Sequence, residues 1–152
     1  MKIVVVGTRG IPDIQGGVET HCEELYPRLA AMGHDVTVVR RSCYVTPQNK
    51  IKEYRGVHLK DIYAPRRKSI EAIVHTFLAI IYARWVGADV VHIHAIGPAL
   101  LTPLARLLGL RVVMTHHGPD YDRQKWNKTA KSVLRWGERM GANYANEVIV
   151  IS

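Results

Sequence analysis

Short apolar runs typical of β-strands alternate with helix-like segments along the whole 152-residue chain. Alternation of this kind is typical of a parallel sheet with helices packed on both of its faces. The sequence therefore predicts the α/β class, with a Rossmann-like, doubly wound parallel sheet. The predicted strands are Lys2–Gly7, Asp35–Arg40, Val57–Ile62, Asp89–Ala95, Arg111–His116 and Glu147–Ile151.

The first predicted helix begins at Gly17 and is ended by Gly33, and Pro27 inside it predicts a kink or a locally opened turn. Its predicted apolar face consists of Val18, Cys22, Leu25, Leu29 and Met32. The other predicted helices are Ser69–Trp85, Gly97–Leu108, which is apolar nearly all round and so predicted to be buried on two sides, and Thr129–Met140.

Length and composition predict one cytoplasmic globular domain, residues 1–152, with a preference for anionic ligands. The net charge of +8 favours small anions or membrane phosphates. We do not expect nucleic acid as a partner, because no nucleic-acid-binding module is recognisable. Cys22 and Cys43 lack metal-site spacing, and two thiols suit a reducing compartment. Met1 leads directly into a strand, without a signal peptide, and the apolar stretch Ala72–Ala83 is too short to span a bilayer.

A glycine pair, Gly16-Gly17, separates the first strand from the first helix. The start of a helix offers backbone N–H groups and the positive end of the helix dipole, and glycine lets a phosphate approach them closely. A simple tight turn is an equally good interpretation of the pair. Arg9 in the same loop could neutralise a diphosphate or bind an anionic acceptor. It is equally well explained as a solvated charge of the loop. Glu19 is either a substrate contact or an outward-facing residue that complements the dipole.

Two known phosphate-binding patterns are absent from this loop. It lacks the Gly-x-Gly-x-x-Gly fingerprint of dinucleotide-binding domains, and it lacks the Gly-Lys-Ser/Thr of a P-loop. The second strand ends in Arg40-Arg41, which could meet the 2′-phosphate of NADP. An NADP-dependent oxidoreductase therefore stays open as an alternative.

Histidines follow the fourth and fifth predicted strands, at the sheet edge where α/β proteins bind ligands. His92 is predicted to be a hydrogen-bonded core residue, and His94 is predicted to line the cleft. Of the neighbours His116 and His117, only one can point into the cleft, and we favour His117 as a contact to a sugar hydroxyl. The adjacent Gly118 would let a ligand come close to the backbone. A three-histidine metal site is a disfavoured rival, so no metal is predicted.

Asp120-Tyr121-Asp122 has the form of the Asp-x-Asp motif that holds a divalent cation in some sugar-nucleotide enzymes. Such a short motif occurs often by chance, and a solvated loop is an alternative. Asp120 remains a candidate acceptor contact or general base.

Several segments together resemble glycosyltransferase family 4, and in particular a bacterial, rhamnosyltransferase-like subgroup that assembles surface polysaccharides. The resemblance covers essentially the whole chain. The matching segments are Gly7–Pro12, Gly16–Thr20, Gly33–Val38, His94–Gly97, Thr115–Gly118 and Lys125-Trp126.

The resemblance implies the N-terminal half of a GT-B fold, in which two Rossmann-like domains face each other across a cleft. It implies a retaining transfer from a nucleotide-diphosphate sugar to a glycan or lipid-linked acceptor, with no metal or other cofactor. Gly16 and Gly17 would contact the donor phosphate and sugar, and His117 would contact the transferred sugar. Arg9 and Asp120 correspond to acceptor-side loops.

The chain departs from the family in containing no second, donor-binding domain, so we expect it to fold alone but not to transfer sugar alone. A non-catalytic sugar- or nucleotide-binding module is a further alternative. The basic cluster Arg66–Lys68 precedes the apolar segment Ile70–Val86, which is compatible with peripheral contact at the inner face of the plasma membrane. For that segment we favour a helix that packs on the sheet, with the basic residues before it exposed to solvent.

Overall fold

The computed structural model describes residues 1–14, 16–65, 70–94, 98–116 and 128–150. A seven-stranded sheet forms the centre of this part of the chain. Its strands are β1 (Lys2–Val6), β2 (Asp35–Arg41), β3 (Glu53–Tyr54), β4 (Val57–Ile62), β5 (Val90–His94), β6 (Arg111–His116) and β7 (Glu147–Val150). The helices are α1 (Gly17–Ala31), α2 (Glu71–Trp85), α3 (Thr102–Leu107) and α4 (Lys128–Tyr144), and the 3₁₀ turns are Ser42–Tyr44 and Pro98–Leu101.

The strands lie in the order β3-β4-β2-β1-β5-β6-β7, and every neighbouring pair is parallel except β3 with β4. This topology confirms the predicted α/β class and all six predicted strands. The sequence analysis missed β3, a two-residue strand joined to β4 through Arg55 and Gly56. Both turn residues have positive φ, 46° and 85°, as in a type I′ hairpin turn, but arginine is an unusual residue there.

Each face of the sheet has its own apolar core, because side chains alternate along the strands. On β1, Ile3 and Val5 pack toward α1, whereas Val4 and Val6 belong to the core that includes α2 and α3. The predicted arrangement of helices on both faces is therefore confirmed.

Two details of the predicted helix α1 are wrong. Met32 was assigned to its apolar face but is 72% exposed, while Tyr26, which was not assigned, is fully buried. Tyr26 lies one turn after Cys22 and brings a hydroxyl into the interior, so hydrophobicity alone did not reveal it. The helix continues through Pro27, which lies in its third turn.

The predicted helix over residues 97–108 is shorter and less buried than expected. A 3₁₀ turn leads into α3, whose buried residues are Thr102 and Ala105, and Leu107 is 85% exposed. The prediction of burial on two sides is therefore wrong. Helix α4 continues past its predicted end because Gly141 packs closely on Ala99 and Met114, where a Cβ would come within 2.9 Å of both side chains.

Helix α2 buries one side against the sheet, with Ala79, Ile80 and Ala83 in the core. The favoured interpretation of a sheet-packing helix holds for this side. The opposite side carries the exposed residues Phe77, Ile81 and Trp85. Among the helices that the structure describes, none is both long enough and apolar enough to cross a bilayer.

Candidate functional site

The carboxyl ends of β1, β5 and β6 lie side by side, so the loops that follow them share one edge of the sheet. Gly7, directly after β1, has φ of +90°, and a Cβ there would lie 2.5 Å from the carbonyl oxygen of His94 at the end of β5. Glycine is therefore required at this position, both by the backbone conformation and by the close approach of the two strands.

The carboxylate of Glu19 connects the first turn of α1 to the loop after β1. It accepts hydrogen bonds from the Thr8 hydroxyl (2.7 Å) and from the Arg9 backbone N–H (3.1 Å), and Glu19 is only 5% exposed. The Thr8 hydroxyl oxygen in turn accepts a bond of 3.2 Å from the Gly10 N–H. The interpretation of Glu19 as an outward-facing residue is therefore wrong, because it is buried and holds the loop in place.

The two glycines at the start of α1 differ in their surroundings. Gly16 has φ of +145°, and a Cβ there would clash with Glu19 Oε1. A Cβ on Gly17 would meet no atom within 4 Å in the described part of the chain, and Gly17 is exposed. Gly16 is thus needed for the fold of the loop, whereas the Cβ position of Gly17 is unobstructed by the residues that the structure describes.

The side chain of Arg9 lies beside this helix start. Its Nη1 is 3.9 Å from the Cβ position of Gly16, and its guanidinium carbon lies 5.3 Å from the centroid of the Tyr44 ring. A cation held over an aromatic ring has a restricted orientation. Arg9, Gly16 and Glu19 therefore lie close together at the start of α1.

Arg40 is almost completely buried and is bound on several sides. Its guanidinium makes a bidentate pair with Asp61, with Nε–Oδ1 at 2.6 Å and Nη2–Oδ2 at 3.1 Å, and Nη1 donates to the Asn49 carbonyl. Its aliphatic stem packs on Gly10, which has no side chain to obstruct it. Arg40 is therefore a structural residue of the loop.

Arg41 is also engaged inside the protein. Its Nη1 donates to Glu71 Oε1 at 3.0 Å, and its Nη2 donates to the Gly7 carbonyl at 3.2 Å. With Arg40 and Arg41 both buried and bonded to protein groups, neither is placed to receive a 2′-phosphate. The main support for an NADP-dependent oxidoreductase is therefore removed.

His75 of α2 lies behind this loop and is fully buried. Its Nε2 donates to the Arg40 carbonyl at 3.0 Å, which fixes the tautomer because a carbonyl can only accept. Burial lowers the pKa of His75 from 6.5 to about 4, and the charge of Arg41 adds to this effect. His75 is therefore neutral at physiological pH.

A buried polar cluster connects α1 to β5 and β6. The Tyr26 hydroxyl lies 2.7 Å from His92 Nδ1 and 2.5 Å from His94 Nε2, and His92 Nε2 lies 2.5 Å from the Thr115 hydroxyl. The two imidazoles stack with centroids 4.3 Å apart, and Cys22 Sγ lies 3.7 Å from His94 Nε2. Burial raises the pKa of both the Cys22 thiol and the Tyr26 hydroxyl.

This cluster confirms His92 as a hydrogen-bonded core residue. His94 is also fully buried and bonded to Tyr26, so in this structure its imidazole faces the interior and does not line an open cleft. The physical reason is that α1 covers this face of β5, and His21, Cys22 and Tyr26 all approach the imidazole. Sequence reasoning missed Tyr26 and Thr115, whose positions depend on the pairing of distant elements.

His116 at the end of β6 points toward α4, where its Nε2 lies 2.6 Å from Glu138 Oε2. The remaining predicted site residues, His117, Gly118 and Asp120, lie outside the described residues, as does Gly97. In the described ranges, no group of three His, Cys, Asp or Glu side chains is arranged to hold a metal ion.

Together, the fold and the loop define a Rossmann-like α/β domain that presents an open helix start, Gly17, and a cation, Arg9, at the carboxyl edge of its sheet. A family model described as Glycosyltransferase Family 4 matches residues 15–152, and the chain belongs to this family. No curated protein is similar enough to count as a match.

The structure is similar to that of sucrose-phosphate synthase from Thermosynechococcus elongatus, with a TM-score of 0.75 and 20% sequence identity. The similarity covers 99% of this chain and 42% of the synthase, so the chain spans less than half the length of that protein. At this identity the similarity shows the fold, which is that of the N-terminal domain of a GT-B glycosyltransferase.

Proposed function

We propose that the chain is the acceptor-side, N-terminal domain of a retaining glycosyltransferase that uses a nucleotide-diphosphate sugar. The observation that carries the proposal is the open space at Gly17, on the start of α1, next to the guanidinium of Arg9. Family membership supports the same conclusion, because the matched residues 15–152 include Gly16, Gly17 and the whole of α1.

The arrangement suits the charge that develops during transfer of a sugar. Cleavage of the bond to the nucleotide leaves negative charge on the phosphate and positive charge on the sugar, and fixed dipoles and cations stabilise such charges. The start of α1 offers backbone N–H groups, and Arg9 offers a positive charge. The bonds from Thr8 and Arg9 to Glu19 hold these groups in position.

The other proposed roles belong to the loops after β5 and β6. His117 contacts the transferred sugar, Gly118 allows close approach, and Asp120 acts as acceptor contact or base. His116 is engaged with Glu138, which favours its neighbour His117 for the sugar contact. The backbone of His94 lies against Gly7, and a contact between the His94 imidazole and substrate would require its hydrogen bond to Tyr26 to be exchanged.

A second, donor-binding domain is part of the proposal. Residues 1–152 form one domain, and the GT-B protein similar to it is more than twice as long. Most of the binding energy for the diphosphate then comes from the second domain, so the chain alone folds but has no measurable transfer activity.

The acceptor we propose is a glycan or a lipid-linked glycan of bacterial surface-polysaccharide assembly, and the transferred group is a hexosyl residue, as in rhamnosyltransferase-like enzymes. The sequence segments Gly7–Pro12 and Gly16–Thr20 support this subgroup. The site of action is the cytoplasmic side of the plasma membrane, with peripheral contact.

The proposal is tested by calorimetric titration and thermal-shift measurement with nucleotide sugars and NADP. These measurements use the 152-residue chain and the same chain extended by the sequence that follows it in its native reading frame. We expect weak binding of a nucleotide sugar to the short chain, and binding with sugar transfer by the extended one. Stabilisation by NADP alone would contradict the proposal, and tight sugar binding without transfer by the extended chain would favour a non-catalytic binding module.

A further inference from the structure

The outward side of α2 is apolar although it faces solvent. Phe77, Ile81 and Trp85 lie at intervals of four residues, on one stripe of the helix, and are 44%, 44% and 83% exposed. The half-buried Val74 and Leu78 border the same stripe. We call Phe77, Ile81 and Trp85 the α2 stripe.

Single exposed apolar residues are common, but a continuous stripe is not expected on a helix that faces only water. On the opposite side, α2 already packs its small residues Ala79 and Ala83 against the sheet. The stripe is therefore not needed for the core, which leaves it available for a partner.

Basic side chains lie beside the stripe. Arg84 is exposed next to Trp85, and Lys60 Nζ lies 5.7 Å from the centroid of the Tyr82 ring on the flank of α2. The single acidic residue of α2, Glu71, is buried and paired with Arg41. The basic cluster Arg66–Lys68 immediately precedes α2 in the sequence.

A groove of about 600 Å³ runs along this flank, between α2 and β4. Lys2, Lys52 and Lys60 line it together with Asp35 and Asp61. Asp61 is paired with Arg40, and Asp35 Oδ1 lies 3.7 Å from His58 Nε2. The groove thus brings lysines close to the apolar stripe, and the Nζ of one of them, Lys2, donates to the Val86 carbonyl at 2.9 Å.

We propose that the α2 stripe docks on an anionic membrane surface, with Phe77, Ile81 and Trp85 entering the acyl boundary and Lys60 and Arg84 facing lipid phosphates. Apolar insertion combined with basic residues is the combination that gives peripheral membrane binding. Trp85 is suited to the headgroup level because its ring is amphipathic. A second copy of the chain fits less well, because it would bring the same cations face to face. The proposal concerns a surface, and it stands whether or not the domain takes part in sugar transfer.

The first test is co-sedimentation of the 152-residue chain with vesicles of phosphatidylcholine, with and without phosphatidylglycerol. We expect binding only to the anionic vesicles, decreasing with added salt. The double variant Phe77→Ser/Ile81→Ser should reduce the vesicle partition coefficient by about tenfold or more, because two apolar insertions are lost. The control is Leu107→Ser, which removes an apolar side chain of α3 that is even more exposed, 85%, and should leave binding unchanged.

A second measurement locates the contact directly. In a Trp126→Phe/Trp136→Phe background, brominated phosphatidylglycerol should quench the fluorescence of Trp85, and Arg84→Glu should weaken the quenching. Circular dichroism checks that the variants remain folded. Equal vesicle binding by the double variant and the native chain would overturn the proposal. So would an absence of binding to anionic vesicles, or a dimer seen by light scattering that Ile81→Lys dissociates without any vesicle binding.

Discussion

The hydroxyl of Thr8 donates a 2.7 Å hydrogen bond to the buried carboxylate of Glu19. Thr8 follows β1, and Glu19 lies in the first turn of α1, so one contact connects the sheet edge to the helix start. The loop between them carries Arg9, Gly16 and the approach to Gly17. Its geometry therefore depends on a side chain that sequence analysis treated as a surface residue or a substrate contact.

Glu19→Ala should destabilise the domain by about 1–3 kcal/mol, because the Thr8 hydroxyl and the Arg9 N–H lose their acceptor. Urea unfolding followed by circular dichroism measures this difference. The control is Glu24→Ala, which removes an exposed helix pair with Arg28 and should change the free energy of unfolding by less than about 0.5 kcal/mol. Equal effects of the two substitutions would show that Glu19 does not anchor the loop.

Gly16→Ala and Gly17→Ala should differ in their effect on the free energy of unfolding. Alanine at Gly16 meets both a φ of +145° and the Glu19 carboxylate, so we expect a loss of about 1–3 kcal/mol in the free energy of unfolding. Alanine at Gly17 meets open space and should leave stability unchanged or slightly raised, since alanine is the better helix former.

Of the two substitutions, Gly17→Ala is the one that tests ligand binding. If a donor phosphate approaches the start of α1, the methyl group of Gly17→Ala weakens nucleotide-sugar binding while the protein remains stable. Titration calorimetry on the chain extended as described above measures this. Unchanged affinity in a stable Gly17→Ala variant would argue against phosphate binding at the start of α1.

Tyr26→Phe should cost about 1–3 kcal/mol, because the hydroxyl between His92 and His94 is removed and buried ring nitrogens lose a partner. Thermal unfolding is a suitable measurement. Tyr63→Phe is the matched control, since Tyr63 is 63% exposed and its hydroxyl can bond to water. A Tyr26→Phe variant as stable as the control would mean that the cluster contributes nothing to the fold.

The neutral state of His75 makes stability depend on pH. Its folded pKa of about 4 lies below its unfolded value of 6.5, so the unfolded chain binds the extra proton between these values. The contribution of neutral His75 to the free energy of unfolding is fully present above pH 6.5 and is lost as the pH falls toward 4. The total loss is about 3 kcal/mol. Urea unfolding across this range should show a shallower pH dependence for His75→Gln than for the native chain. Identical slopes for His75→Gln and the native chain would contradict the expected coupling.

Strand positions could be read from the sequence because they depend on local apolar runs, and all six predicted strands are present. Strand β3 could not, because its two residues carry no periodic signal and its turn places Arg55 in a conformation that arginine rarely adopts. The predicted helix ended at Met140, whereas α4 continues to Tyr144, and Gly141 inside it packs against the side chains of Ala99 and Met114.

Only part of the candidate site could be predicted from the sequence. Gly16, Gly17 and Arg9 were identified from their place between a strand and a helix, and the structure brings them together. The buried states of Arg40 and Arg41 could not be foreseen, because the partners that neutralise them, Asp61 and Glu71, lie 21 and 30 residues away in sequence.

The amino-acid sequence by itself determined the α/β class, the alternation of elements and the placement of a glycine-rich loop before the first helix. These features follow from local periodicity and from backbone conformations that favour glycine. Tertiary structure alone decided which polar side chains are buried, as with Glu19, Tyr26, His94 and Arg40, and which side of α2 remains exposed. The reason is that burial of a polar group requires a partner, and the partners are supplied by segments that only the folded chain brings into contact.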